Sequence, residues 1–290
     1  MGKKNKIHGL DIVTKYGLMT DQRWDVNKYE FNEVIKEMSN KDKELLSALD
    51  YIGDGELSGT AMFVQMIQYI ENEIKDKKKK KDLEDLSEII MYGMMVITYD
   101  EFRHGLVLKE LRAARDGESF INTVKPSESF KYINGIEIWD DPYEILVSLF
   151  LGEIVNEALY NSLAKSVDSE KFKEIIKNIE KDERRHKMAW FELTEKLLKK
   201  KKHRKRYVKA LKKTHFYHQA ETGYTFFDGI KDTRELLNHG LMDKVHETRY
   251  KMLKKLLGED MPLTLEEMKS EYAKHMKDLI IKKMKQDKGN

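Results

Sequence analysis

Two five-residue segments of this 290-residue chain share one pattern. Asp100-Glu101-Phe102-Arg103-His104 and Asp182-Glu183-Arg184-Arg185-His186 both read D-E-x-R-H. Each lies inside a long stretch whose apolar residues recur at helical spacing, from about Leu83 to Arg115 and from about Glu170 to Lys200. Residues three apart on a helix share nearly the same face, about one turn apart. Glu101 with His104, and Glu183 with His186, are therefore two chelating pairs. If the two helices face each other, the pairs converge. A lone E-x-x-H is common on an exposed, salt-bridged helix; the duplication on two apolar helices sets these apart.

The rest of the chain also reads as helix. Asn27 and Glu30 have the spacing of a capping box, ahead of a stripe of Tyr29, Phe31, Val34, Ile35 and Met38. A long helical pattern follows from about Lys43 to Lys75, interrupted by Gly53, Gly55 and Gly59, and Lys77 to Lys81 reads as a solvated tip. Residues 116–140 are irregular, with a short strand predicted at Ile136 to Trp139. Asp141-Pro142 starts a helix running to about Ser166, with Pro in the first turn. VDSE at 167–170 is a turn with capping residues. Two hairpins of long helices joined by a crossover predict an all-α four-helix bundle over about 43–200. A basic helix at about 203–217, an aromatic loop at 222–229, a helix ending at Gly258 and a last helix from Thr264 form a C-terminal extension over about 203–285. The expectation is a single domain over 1–290.

Hairpin level points to further carboxylates. A residue as far before the 167–170 turn as Glu183 lies after it is Glu153. The same construction about the lysine tip pairs Glu101 with Glu56. The turn centres are loose by a few residues, which leaves Glu157 and Asp54 as alternatives, and Glu71 as a more distant one. The candidate metal set is Glu56, Glu101, His104, Glu153, Glu183 and His186. A metal-bound histidine usually donates its other ring N–H to a carboxylate. Motif symmetry predicts Asp100 on His186 and Asp182 on His104, with Arg103 and Arg185 neutralising the two aspartates. Glu157 is a further polar candidate near the third helix's ligand.

Composition limits the chemistry. The chain has no cysteine, which excludes disulfides, iron–sulfur clusters, Cys-held zinc and a Cys nucleophile. Any metal must be held by His and carboxylates. With 54 basic and 51 acidic residues, the net charge of +3 is no general nucleic-acid signature. The basic run KKKKHRKR at 199–206 could dock an acidic carrier, a CoA phosphate or RNA, or be a solvated helix start. No apolar run is long enough for a membrane span, and the N-terminus lacks a signal-peptide core; the expectation is a cytoplasmic protein. Met94, Met95, Met188 and Trp190 are candidates to line a cavity, with ordinary core packing the better reading of any one.

The motif segments DEFRHGLVLKEL (100–111) and DERRHKMAWFELTEKL (182–197) resemble the metal helices of the ferritin-like dinuclear iron oxidases and oxygenases, most nearly the acyl-carrier-protein desaturases. Ile52-Gly53-Asp54 is similar to the stretch before that family's first metal glutamate, and GEIVNEALYNSLAKS (152–166) to its third metal helix. The resemblance spans about 50–200. It implies two iron ions (or manganese, or a mixed pair) with O2 as co-substrate, an external electron donor such as a ferredoxin, and a homodimer. The family's threonine near the third-helix ligand has no counterpart; Asn156 and Glu157 occupy the next turn. The function expected is an O2-dependent oxidoreductase, an oxygenase or desaturase acting on a small or carrier-bound organic substrate. The alternatives are an iron-handling ferroxidase and an RNA-modifying hydroxylase.

Overall fold

The computed structural model describes residues 12, 15–16, 23–47, 49, 52–53, 56, 80–123, 141–214 and 240–287. These residues are helical or in short connections, and no strand occurs among them. Helix α1 is Phe31–Glu37. A second helix, α2, is described at 40–47, 49, 52–53 and 56. Then come α3 (Lys80–Tyr92), a five-residue π turn (Gly93–Ile97), α4 (Thr98–Asp116) and the short α5 (Phe120–Thr123). The long pair is α6 (Pro142–Ser166) and α7 (Glu170–Leu198). The C-terminal helices are α8 (Lys201–Thr214), α9 (Leu241–Leu257) and α10 (Leu265–Asp287). No described helix is long and apolar enough to cross a membrane. The strand expected at 136–139, the aromatic loop at 222–229 and the tip at 77–79 lie outside the described residues.

Local chemistry explains the helix ends. The Asp141 carboxylate accepts the backbone N–H of Tyr143 at 2.9 Å, with Pro142 at the first helical position, so α6 starts where the sequence indicates. Ser169 caps α7 through the N–H of Phe172, at 3.4 Å. Thr264 and Glu267 form a reciprocal capping box at the start of α10, with bonds of 3.1 and 2.7 Å. Gly117 ends α4 at φ 68°, a left-handed position that glycine reaches without a steric penalty. The expected Asn27/Glu30 box does not form. Asp25 caps a 3-10 turn at Val26–Lys28 instead, and α1 begins only at Phe31 without a side-chain cap. The expected continuous helix from Leu83 to Arg115 is also modified. The π turn interrupts it just before the first motif, and the Gly93 carbonyl accepts both the N–H and the hydroxyl of Thr98.

α6 and α7 fold back on one another along their lengths through the three-residue turn 167–169. α8 and α9 pack on both, α3 packs on α7, α1 packs on α4 and α7, and α10 packs on α9. The buried apolar side chains divide into two clusters. One takes Leu86 to Ile97, the first half of α6, the second half of α7, and α8 and α9. The other takes Leu45, Leu46 and Leu49 of α2, Val107 to Leu111 of α4, the end of α6 and the start of α7. Every helix that enters both clusters passes through a polar layer between them. At Gly53 α2 lies close against α4, since a Cβ there would sit 3.3 Å from that of Leu108. This contact sets how near the following turn, with Glu56, can come to α4.

Asp42 of α2 ties the α6–α7 turn to the rest of the fold. It is fully buried and accepts the backbone N–H groups of Asp168 and Ser169, each at 2.9 Å, and that of Ser39 at 3.3 Å. Hydrogen bonds to a charged group are worth roughly 1.5–3 kcal/mol each, and truncation leaves the donors unpaired. Asp42→Ala is expected to cost about 3 kcal/mol of stability, read as a lower urea midpoint with an unchanged m-value.

Candidate metal centre

Four helices carry ionisable side chains into the polar layer. Glu56 comes from α2, Glu101 and His104 from α4, Glu153 from α6, and Glu183 and His186 from α7; all six are buried. They form two overlapping groups, each with its potential ligand atoms within 4.8 Å of one another. The first is Glu56, Glu101, His104 and Glu183, and the second is Glu101, Glu153, Glu183 and His186. Each group thus has one histidine and one glutamate of its own, and both share Glu101 and Glu183. The two imidazole rings lie 6.1 Å apart, 30° from parallel.

The histidines are aimed by the opposite motif. His104 Nε2 is 3.1 Å from Asp182 Oδ2, and His186 Nε2 is 3.1 Å from Asp100 Oδ2. An Nε2–H donated to each aspartate leaves Nδ1 directed inward. Nδ1 of His104 lies 3.1 Å from Glu183 and 3.6 Å from Glu56; that of His186 lies 3.3 Å from Glu101 and 3.8 Å from Glu153. Two arginines close the outer network. Arg103 donates to Asp100 at 3.0 Å and Asp182 at 2.5 Å. Arg185 reaches Asp100 at 2.6 Å and Asp182 at 2.7 Å.

Four further residues act on this network without having been singled out for it from the sequence. Tyr160 donates to Glu56 Oε1 at 2.9 Å, and Trp190 donates to Glu153 Oε1 at 3.3 Å. Tyr160 had a visible signal, because it lies two helical turns after Glu153 on the same face. From the sequence Trp190 reads as a core residue or a cavity wall. Trp24 donates to Asp182 Oδ2 at 2.9 Å, under the guanidinium of Arg103, and Arg23 approaches Asp100 at 3.5 Å. No local spacing could place Arg23 and Trp24 there, since the contacts span more than 75 residues.

Other candidates lie elsewhere. Glu157 is not in either group; it pairs outward with Arg184 at 2.8 Å and with Lys187. It sits one turn after Glu153, but on the edge of α6 where these two cations from α7 hold it. Asp54 and Glu71 fall outside the described residues. Met95 and Met188 are 64% and 38% exposed, so neither lines a buried cavity at the centre. A groove of about 390 Å³ does include Met188, with Phe191, Glu192 and Lys196, on the outer side of α7. His203 is buried in a separate contact with Tyr143 and Asp85.

The electrostatics favour a cation. Arg103 and Arg185, with Arg23 at 3.5 Å from Asp100, face the two aspartates, and four glutamates remain in the inner part of the layer. Burial alone would lower the His104 and His186 pKa values. The neighbouring carboxylates, chiefly Asp182 for His104 and Asp100 for His186, outweigh it and raise them to about 10 and about 9. Burial and the charges of Glu183 and Glu101 push Glu153 well above the usual carboxylate range. Burial alone would also raise Asp100, but hydrogen bonding and charge from His186, with help from Arg185, hold it down at about 2. Glu56 Oε2, Glu153 Oε2, both Glu183 oxygens, His104 Nδ1 and His186 Nδ1 are buried without a hydrogen-bond partner. A buried polar atom left unpaired costs roughly 1–3 kcal/mol. Carboxylate oxygens and imidazole nitrogens that lie this close together form two groups that could each hold a metal ion.

Comparison with protein-family models, curated proteins and solved structures finds no match for this chain.

The pKa shifts set a pH signature for the metal-free protein. Groups that bind protons more tightly when folded lose stability as pH rises. For Glu153 that loss starts above its usual value of 4.5; for the histidines it runs from 6.5 up to about 10. Asp100 has the opposite sign, and its contribution is complete above about pH 4. Metal-free protein is therefore expected to lose thermal stability steadily from about pH 5 to about pH 10. Metal-loaded protein, with the same protons displaced, is expected to show a much flatter profile by calorimetry across that range.

Proposed function

We propose that this chain is an O2-dependent dinuclear iron oxidoreductase built on a ferritin-like bundle of α2, α3–α4, α6 and α7, and that it acts on an organic substrate. The observation that carries the reading is the pair of overlapping Glu/His groups that share Glu101 and Glu183. A bridged pair of metals asks for this division: two carboxylates common to both ions, and one imidazole and one carboxylate for each. Iron in such a ligand set supplies the activation of O2, and manganese would fit the same donors.

The chain's own residues have separable tasks in this reading. Glu56 and His104 would hold one ion and Glu153 and His186 the other, with Glu101 and Glu183 within reach of both. Asp182 and Asp100 fix the imidazole tautomers so that Nδ1 is the free nitrogen. Tyr160 and Trp190 each occupy one oxygen of a terminal glutamate and leave the other for the ion. Arg103 and Arg185 neutralise the aspartates, so that the only net charge facing the centre is that of the ligands. The two apolar clusters above and below keep bulk water from the layer. Reducing equivalents come from an outside donor, as the family resemblance implies.

The test is metal content with reactivity. Protein reconstituted with ferrous iron without oxygen is expected to bind two irons per chain and to change its optical spectrum when O2 is admitted. Absence of bound iron overturns the reading. Glu153→Ala is expected to lower the stoichiometry toward one iron per chain, because it removes a ligand from one group only. Asp182→Asn keeps all six ligands but loses the charge that orients His104. It is expected to weaken iron binding by about 10- to 100-fold, measured by competition with a chelator.

A further inference from the structure

Among the described residues, Arg249 is the largest fully buried cation outside the layer of Glu/His groups. It lies on α9, in the seam that α9 makes with α6, α7 and α10, and its side chain has no exposed surface. Nη2 donates to the backbone carbonyl of Leu151 on α6, at 2.8 Å. Nε and Nη1 have no hydrogen-bond partner. No carboxylate pairs with it among the described residues. Three acids of the surrounding helices have partners elsewhere: Asp243 with Lys269 at 2.8 Å, Glu144 with Lys213, and Glu267 with the start of α10. The neighbour across the seam is Tyr272 of α10, whose ring meets that of His246 at 4.9 Å.

A buried guanidinium without a counter-charge is an unstable arrangement. Burial lowers its pKa to about 9, which still leaves it charged at neutral pH. Five N–H donors in a planar fork match the paired oxygens of a carboxylate or phosphate, and most of them point at nothing here. We propose that Arg249 is the base of a second ligand site, which takes one small oxoanion, a carboxylate or a phosphate group, under the cover of α10. Arg249 belongs to neither of the two Glu/His groups. The oxoanion site goes beyond the metal reading and does not depend on it.

The test is thermal unfolding of the full-length protein at constant ionic strength, with sodium chloride replaced stepwise by phosphate or by acetate. Wild type is expected to gain stability saturably, by about 5 °C at a hundredfold excess over Kd. A rise with phosphate alone assigns a phosphate group; a rise with acetate alone assigns a carboxylate; both assign an unselective oxoanion site. Arg249→Met is expected to abolish the rise. In chloride it should be at least as stable as wild type, because it removes an unpaired buried charge and keeps the volume. Arg249→Lys, which keeps the charge but not the fork, is expected to shift the half-saturation point upward at least tenfold. No saturable rise in wild type overturns the proposal. So does an equal rise in Arg249→Met, or in Arg249→Lys if the methionine variant fails to fold.

Discussion

The structure depends on a layer of charge placed between two apolar clusters. Six ionisable ligand-type residues, two aspartates and two arginines sit at one level of the helices, all of them buried. Taking such groups out of water is costly unless each charge meets its opposite or its hydrogen-bond partner. The outer part of the layer meets that condition within the protein, through the Asp100–Arg103–Asp182–Arg185 network. The inner part does not. The unpaired atoms of Glu56, Glu153, Glu183, His104 and His186 face one another. The apolar clusters on either side hold this inner part in place.

That division of labour explains why the motif is five residues long. The Glu and His of each D-E-x-R-H face inward, while the Asp and Arg beside them serve the other helix. Asp182 aims His104, Asp100 aims His186, and each arginine touches both aspartates. Each motif depends on the other, because the Nε2 of each histidine meets the aspartate of the facing helix. The symmetry of the two motifs is thus a consequence of mutual orientation. It also makes the layer cooperative, since loss of one aspartate disturbs a histidine on the facing helix and leaves two guanidinium groups undercompensated.

Much of the helical layout was legible in local residue patterns. Asp141-Pro142, Ser169, Thr264 with Glu267, Gly117 and Gly258 marked helix ends because capping involves only residues within a few positions of each other. The π turn at Gly93–Ile97 was not legible, because its apolar spacing differs little from that of an ordinary helix over one turn. The Asn27/Glu30 pattern misled because Asp25, two residues earlier, competes for the same backbone donors. In the site, the level of Glu153 and Glu56 followed from counting residues on either side of a turn, which works when helices are straight and adjacent. Glu157 shows the limit of such counting. A residue one turn away is at nearly the right level, and only its rotation toward Arg184 and Lys187 decides that it faces outward.

By itself the sequence determined an all-α chain without thiol chemistry, and two helices that each present a chelating Glu/His pair. Those follow from composition and from the 3.6-residue period, both of them local properties. Only the tertiary structure decided which carboxylates are shared between the two groups and which belong to one. It alone brought Tyr160, Trp190 and Trp24 onto Glu56, Glu153 and Asp182, and left Arg249 buried without an anion among the described residues. The reason is physical. Contacts between residues 37 to 158 positions apart depend on how helix faces rotate and approach, and packing sets that rotation through side chains from several helices at once.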